Sequence, residues 1–261
     1  MGIINVTPDS FYAGSKMETS DAVLQQAEKM ISEGATFLDI GGYSSRPGAD
    51  HVSQDEELSR VLPAIETVIK EFPETLISID TFRSKVAKKA VEAGAALVND
   101  ISAGLMDSEM IPAVAKLQVP YIMMHMKGTP QNMTTQTDYS NMVTDILHYF
   151  SERIAVARKA GINDIIADPG FGFSKTRTQS FTMLGNLELF KKLDLPFLVG
   201  ISRKSMIYKT LDITPDQALN GTTALHSIAL LKGASILRVH DVKEASECIT
   251  LTGKLQESSE F

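Results

Sequence analysis

A single cysteine, Cys248, stands among 261 residues. It excludes an intramolecular disulfide and any cysteine-based zinc cluster, and it fits a reducing, cytoplasmic setting. Its place in a late helical stretch reads as packing rather than chemistry. Basic residues are scarce too: 25 Lys and Arg against 32 Asp and Glu leave a net charge of -7. Such a chain has no basic field to hold a nucleic-acid backbone, which excludes that partner class. A few local Arg and Lys residues, or a metal, can still hold phosphates. No apolar run reaches membrane-spanning length, so no membrane partner is expected. The first residues, MGIINV, lack the basic start and extended apolar stretch of a signal peptide. They read as a core strand that begins almost at residue 1, and a natural chain extending further upstream is expected.

Short apolar runs alternate with longer helical patterns. The strand candidates are GIINV (2–6), TFLDI (36–40), LISID (76–80), ALVND (96–100), PYIMMH (120–125), DIIAD (164–168), PFLVG (196–200) and SILRVH (235–240). Helical patterns follow them over 20–33, 54–70, 83–93, 107–117, 138–160, 179–192, 215–232 and 241–255. The runs are nearly continuous in apolar character, as in a parallel sheet covered on both faces. Gly34, Gly94, Gly161 and Gly233 each close a helix a few residues before a strand. Eight strand–helix units of about 33 residues match a (β/α)8 TIM barrel of roughly 250 residues. The alternative, a doubly wound open sheet, needs edge strands, and no run is polar enough to be one. No linker divides the chain, so residues 1–261 read as one barrel domain. The polar stretch 129–140 reads as a mobile loop.

A barrel places its catalytic residues at the C-terminal ends of its strands. Polar groups gather there: Asn5, Asp39 followed by Arg46, Asp80, Asn99 with Asp100, His125, Asp168, the Ser202–Arg203–Lys204 run, and Arg238 with His240. Several have a plainer reading. Asp80 could cap the helix that begins near Arg83. Lys204 could belong to a surface charge pair, although it directly follows an apolar strand. His240 could be a satisfied core histidine. Asp168 resists the capping reading, because the next helical pattern starts about ten residues later. A carboxylate at a barrel mouth can accept two parallel N–H bonds from a flat ring edge. Asp80, Asn99 and Asp168 therefore suit a heterocycle with several donors, or a Mg²⁺ ion by ligand type; residue types leave both open. Arg46 in SSRPG suits an anion. Arg238 and His240, two apart, share a strand face. His125 in MMHMKG orients a loop or touches a ligand. Phe171 and Phe173 in GFGF read as apolar walls beside the mouth.

NVTPDSF, DIGGYSSRPGA, SIDTFR, NDISAG, MHMKGTPQNM, DPGFGFSK, GISRKS, NGTTA and LRVHDV follow one another in that order along almost the whole chain. In this ordered set the chain resembles the dihydropteroate synthases of the pterin-binding barrel superfamily, with motif details most similar to Bacteroidetes-type bacterial enzymes. The resemblance implies a reaction. 6-Hydroxymethyl-7,8-dihydropterin diphosphate and p-aminobenzoate give 7,8-dihydropteroate and pyrophosphate, with Mg²⁺. It implies that Asp80, Asn99, Asp168 and Lys204 serve the pterin pocket, lined by Ile101 and Met123, with Arg238 against the pterin face. Asn5, Arg46, Arg238 and His240 would serve the diphosphate, with Asn5 also beside Mg²⁺. Ser45, Pro47, Phe173, Ser202 and Lys204 fall near the p-aminobenzoate site. Residues 10–16 would form a flap over the second substrate. The family forms homodimers through its later helices, and the apolar 215–232 pattern suits that role.

There are departures from the family pattern. Ala13 stands where many members have Asp, Tyr43 replaces a common Glu, and Ser45 replaces Thr. The segment that usually precedes the first strand and closes the barrel bottom is expected to be missing. Two other readings share the pocket logic. One is a corrinoid methyltransferase using methyltetrahydrofolate, which has no need of the cationic SSRPG, SRKS and RVHD groups. The other is a non-catalytic pterin-binding barrel.

Overall fold

The computed structural model describes residues 1–6, 16–44 and 51–258. Eight strands appear among them. They are β1 (Gly2–Asn5), β2 (Phe37–Gly41), β3 (Leu76–Asp80), β4 (Leu97–Asp100), β5 (Tyr121–Met124), β6 (Ile165–Asp168), β7 (Leu198–Val199) and β8 (Ile236–Leu237). β1 to β6 pair in sequence order, all parallel, and β7 pairs with β8. Two parallel bridges join these sheets into a closed barrel: Ala167 to Phe197 on one side, and Gly2 to Val239 on the other. The second seam carries Ile3 N–H to Val239 O and Val239 N–H to Met1 O, both 2.9 Å. The expected (β/α)8 architecture is the one observed.

Helices fill the connections: α1 (Lys16–Ser32), α2 (Gln54–Glu71), α3 (Ser84–Glu92), α4 (Met110–Leu117), α5 (Met142–Lys159) and α6 (Arg177–Gly185). After β7 the chain forms a short helix, α7 (Ser205–Leu211), before α8 (Leu219–Leu231); α9 (Val242–Ser258) follows β8. The apolar periodicity predicted α8 and α9 but not α7, whose seven residues are too few to show a period. Local chemistry sets several boundaries. Ser53 caps α2 through a bond from Glu56 N–H, and Thr176 with Gln179 forms a capping box on α6. Gly34, Gly94, Gly161 and Gly233 sit at φ of +98°, +113°, +98° and +103°, the left-handed turn that releases each helix into the next strand.

Side chains alternate across each strand. Leu38, Ile40, Val98, Tyr121 and Met123 face the helices in the main core. Leu97, Ile122 and Leu198 face inward and plug the lower barrel with Met1, Phe37, Ile166 and Ile236 packed on them. Above this plug the inward positions turn polar. Around the rim lies a third apolar cluster, with Tyr43, Val52, Phe82, Ile101, Met124, Met126 and Met133 buried, and Met106 and Phe173 packed against them. The stretch 129–140 is more tied down than its polarity suggested. Asn132 Oδ1 accepts from Thr129 N–H at 2.7 Å, Met133 is buried, and Gln179 Nε2 donates to Thr137 O at 2.8 Å.

Candidate active site

Strand register places the candidate residues side by side. Asn5 pairs with Gly41, Gly41 with Asp80, and Asp80 with Asn99. The missing side chain at Gly41 matters here, because a Cβ would stand 3.3 Å from that of Asp80. Asp39, two residues before Gly41 on the same face, lies one layer deeper and is fully buried. Arg238 reaches in from β8 and joins two strands at once. Its Nε donates to Asp39 Oδ2 at 2.6 Å and its Nη2 to Asp80 Oδ2 at 2.7 Å. Asn99 Nδ2 donates to the same Asp39 oxygen at 3.1 Å. Asp80 therefore does not cap the next helix. The N–H of Ser84, the first residue of α3, goes to Asp107 Oδ2 at 2.7 Å instead.

Asp168 ends β6. Its Oδ1 accepts the N–H of Gly170 at 2.7 Å, and among the described residues its Oδ2 accepts no hydrogen bond. Burial pushes this carboxyl's pKa up, and the nearby Lys204 charge pulls it back. The Lys204 side chain crosses the mouth of the barrel. Its ammonium donates to Phe171 O and stands 4.8 Å from the centre of the Phe173 ring. Burial lowers its pKa to about 8, with Asp168 opposing. Burial also raises the Asp80 carboxyl; Arg238 works against this and Asp39 reinforces it. For Arg238 itself burial disfavours the charge, but Asp39 and Asp80 more than offset that, and it stays a cation. Two cations and three carboxylates thus line one small space, which favours a ligand with several N–H donors or developing positive charge.

The loop after β6 is held from beneath by a residue outside the expected site. Lys175 is buried, and its Nζ donates to Gly170 O and Phe173 O and is hydrogen-bonded to His125 Nδ1, each at 3.0 Å. Burial pulls the pKa of this amine well below the ordinary lysine value, with Asp168 opposing. His125 is driven down to about 2 by burial and then by Lys175, so the ring is neutral. His125 packs edge-on against Tyr149, with ring centres 4.8 Å apart. Of the two readings of His125, the structure supports the loop-orienting one.

Ser202 is buried, and its Oγ accepts the backbone N–H of His240 at 3.2 Å, which ties the ends of β7 and β8 together. His240 is half-buried at the barrel top. Arg203 turns away from the pocket. It forms a two-pronged pair with Asp241 at 2.8 Å for each bond and caps the turn at Pro215 and Asp216. Ile101 and Phe173 belong to the rim cluster, as expected. Met123 does not line the mouth. Strand alternation turns it into the helix-facing core, and its neighbour Met124 holds the inward position beside Ile101 and Phe173. Ser45, Arg46 and Pro47, with the flap positions before residue 16, lie outside the described residues.

The residue types placed Asp39 among the strand-end polar groups but gave it no role, and they did not single out Lys175 at all. Asp39 had a usable signal, a lone carboxylate inside the apolar run TFLDI on the face of Gly41. Lys175 had none that distinguishes it from a surface lysine. Among the described residues no group of three or more His, Cys, Asp or Glu side chains could hold a metal. Asn5 offers one hard amide oxygen at the rim. That suits an ion such as Mg²⁺, which takes one or two protein ligands and keeps the rest from phosphates and water.

Comparison with known proteins agrees with this geometry. A family model described as pterin binding enzyme matches residues 1–240. The chain is 45% identical to the folic acid synthesis protein fol1 of Schizosaccharomyces pombe over 264 residues, covering 98% of this chain and 36% of that protein. It is 43% identical to a dihydropteroate synthase of Synechocystis over 250 residues, covering 95% of this chain and 86% of that one. In three dimensions it is similar to the Yersinia pestis dihydropteroate synthase solved with a sulfonamide drug, with a TM-score of 0.92 at 41% identity, over 99% of this chain and 94% of that one.

Proposed function

The chain belongs to the pterin-binding enzyme family, and from that premise we propose that it catalyses the dihydropteroate synthase reaction. It joins 6-hydroxymethyl-7,8-dihydropterin diphosphate to p-aminobenzoate, releasing pyrophosphate and forming 7,8-dihydropteroate. The observation that carries this reading is the inward set at the strand ends: Asp80 and Asn99 on adjacent strands, Asp168 with an unengaged Oδ2, and Lys204 across the mouth. Asp168 takes the 2-amino and N3 hydrogens of the pterin. Lys204 donates to the ring carbonyl, and Arg238 packs against the ring face. Asn5, Arg46 and His240 serve the diphosphate. Ser45, Pro47, Phe173 and Ser202 border p-aminobenzoate.

The C–O bond to the diphosphate breaks with its electron pair leaving on pyrophosphate. The carbon becomes cationic, and the electron-rich pterin spreads that charge. The aniline nitrogen is unprotonated near neutral pH and attacks with its lone pair; the resulting anilinium is acidic and sheds its proton to the released pyrophosphate or water, so no strong base is required. The carboxylates Asp80 and Asp168 oppose the growing positive charge, and the side chains at the diphosphate oppose the charge on the leaving group. Asn5 would hold Mg²⁺ beside the leaving group, where the ion would supply further neutralisation. Exclusion of water from the cation prevents hydrolysis to the alcohol. The whole chain acts as one catalytic domain, in the cytoplasm, as a homodimer. No helix among the described residues is long and apolar enough to cross a membrane.

Asp168→Asn tests the pocket. Hydrogen bonds to charged groups are worth about 1.5–3 kcal/mol, so pterin affinity should fall roughly tenfold or more. Near-normal pterin affinity would overturn the role given to Asp168. Pyrophosphate release from both substrates with Mg²⁺ tests the reaction. A folded sample that binds pterin and releases none is a non-catalytic binder instead.

A further inference from the structure

We propose that Asp39 is a positioning residue for the pterin pocket, holding Arg238 and Asn99 in their working orientations through one shared carboxylate oxygen. The proposal rests on the pterin reading of the site and adds a residue to it. Asp39 is fully buried on β2, one layer beneath the Asp80–Asn99 row. Its Oδ2 accepts both the Arg238 Nε–H and the Asn99 Nδ2–H, while its Oδ1 is buried with no partner among the described residues. A buried ion pair is by itself weak evidence for stability, and this carboxylate joins side chains from β4 and β8 through one oxygen. It is well explained by what it fixes.

Arg238 is gripped at two points. Asp80 holds Nη2, and Asp39 holds Nε, the nitrogen nearest the chain. With both points held, the guanidinium plane cannot turn. With Asp80 alone, it pivots about a single contact, and that contact is itself a pocket residue. Asn99 is fixed by simpler chemistry. An ionised carboxylate only accepts, so the amide must turn its nitrogen toward Asp39. That leaves the Asn99 oxygen as the group available to a ligand, which selects an N–H donor there. Asp39 never needs to touch the substrate to set both features.

Three variants test this: Asp39→Asn, Arg238→Gln and the double variant, each checked for thermal unfolding and titrated with 6-hydroxymethylpterin. An Asn at position 39 still offers Asn99 an acceptor, so the comparison reads the anchoring of Arg238. Asp39→Asn should weaken pterin binding about tenfold or more while leaving the KM for p-aminobenzoate within about twofold. In the Arg238→Gln background the same change should cost less than about twofold, because coupled residues are not additive. Unchanged pterin affinity in a folded Asp39→Asn protein would overturn the proposal, as would equal losses for both substrates. If Asp39→Asn alone does not fold, the double variant against Arg238→Gln still decides it: a further tenfold loss there overturns it. Failure of the unaltered protein to bind the pterin at all would remove the functional reading instead.

Discussion

Lys204 works close to its own titration. Burial lowers its pKa to about 8, so near neutral pH the ammonium is mostly charged and can donate to a ring carbonyl. Pterin affinity should decline above about pH 8, and Lys204→Arg, which does not titrate, should lack that decline. Titrations of pterin binding from pH 6.5 to 9.5, roughly bracketing that pKa, give the answer; a flat profile in the unaltered protein would remove Lys204 from the role. The stability effect has the opposite sign. Between about 8 and the ordinary lysine value of 10.5, the unfolded chain keeps a proton that the folded chain has lost, so this group's contribution to stability grows with pH. At this scale most of the pocket could be read in the sequence. Asp80, Asn99, Asp168, Lys204 and Arg238 were visible as polar groups closing apolar runs. Asp39 was visible but undervalued, since its importance lies in two partners distant in sequence. Met123 was misplaced by one residue, because a run of four apolar residues, Tyr121 to Met124, conceals which parity faces inward.

Between strand and helix, the loop DPGFGFSK shows how an element is fitted to its neighbours. Gly170 has φ of +70°, and a Cβ there would lie 2.1 Å from the backbone oxygen of His125. The β5 and β6 ends can approach this closely only with glycine, and Lys175 then bonds Gly170 O, Phe173 O and the His125 ring to hold them. Gly170→Ala should lower stability by about 3 kcal/mol or more, left-handed strain of roughly 1–3 kcal/mol plus the clash. Gly161→Ala provides the comparison: φ is +98°, but nothing lies within 4 Å of its Cβ. Only the backbone strain applies there, about 1–2 kcal/mol. Urea midpoints of the two variants measure the difference, and equal losses would mean that the close approach carries no weight. The two glycines look alike in sequence, one closing a helix and one following a Pro. What separates them is a contact 45 residues away along the chain, which no local pattern contains.

Across the whole molecule, the last helices depart from the usual inside-out rule. α8 turns Thr222, His226 and Ala229 toward the barrel and leaves Ile228 and Leu231 exposed at 40% and 46%. Six of the ten large exposed hydrophobics among the described residues lie on α7, α8 and α9: Leu211, Ile228, Leu231, Ile249, Leu251 and Leu255. Leu225 and Leu230 of the same helix pack against the core, yet Ile228 and Leu231 are left in water. Burying that apolar side chain area against a second copy contributes roughly 25 cal/mol for each Å² removed from water. This exposed apolar surface supports the proposed homodimer, and it was only half legible: the apolar richness of 215–232 was plain, but not which of its residues stay exposed. Replacing Ile228 and Leu231 together by Glu should turn a dimer into a monomer in sedimentation equilibrium at micromolar concentration. α8 leads directly into β8, which carries Arg238, so the monomer should also unfold at a lower temperature and bind pterin more weakly. The same dimer mass in the variant would exclude this face, and a monomeric unaltered protein would exclude the dimer itself.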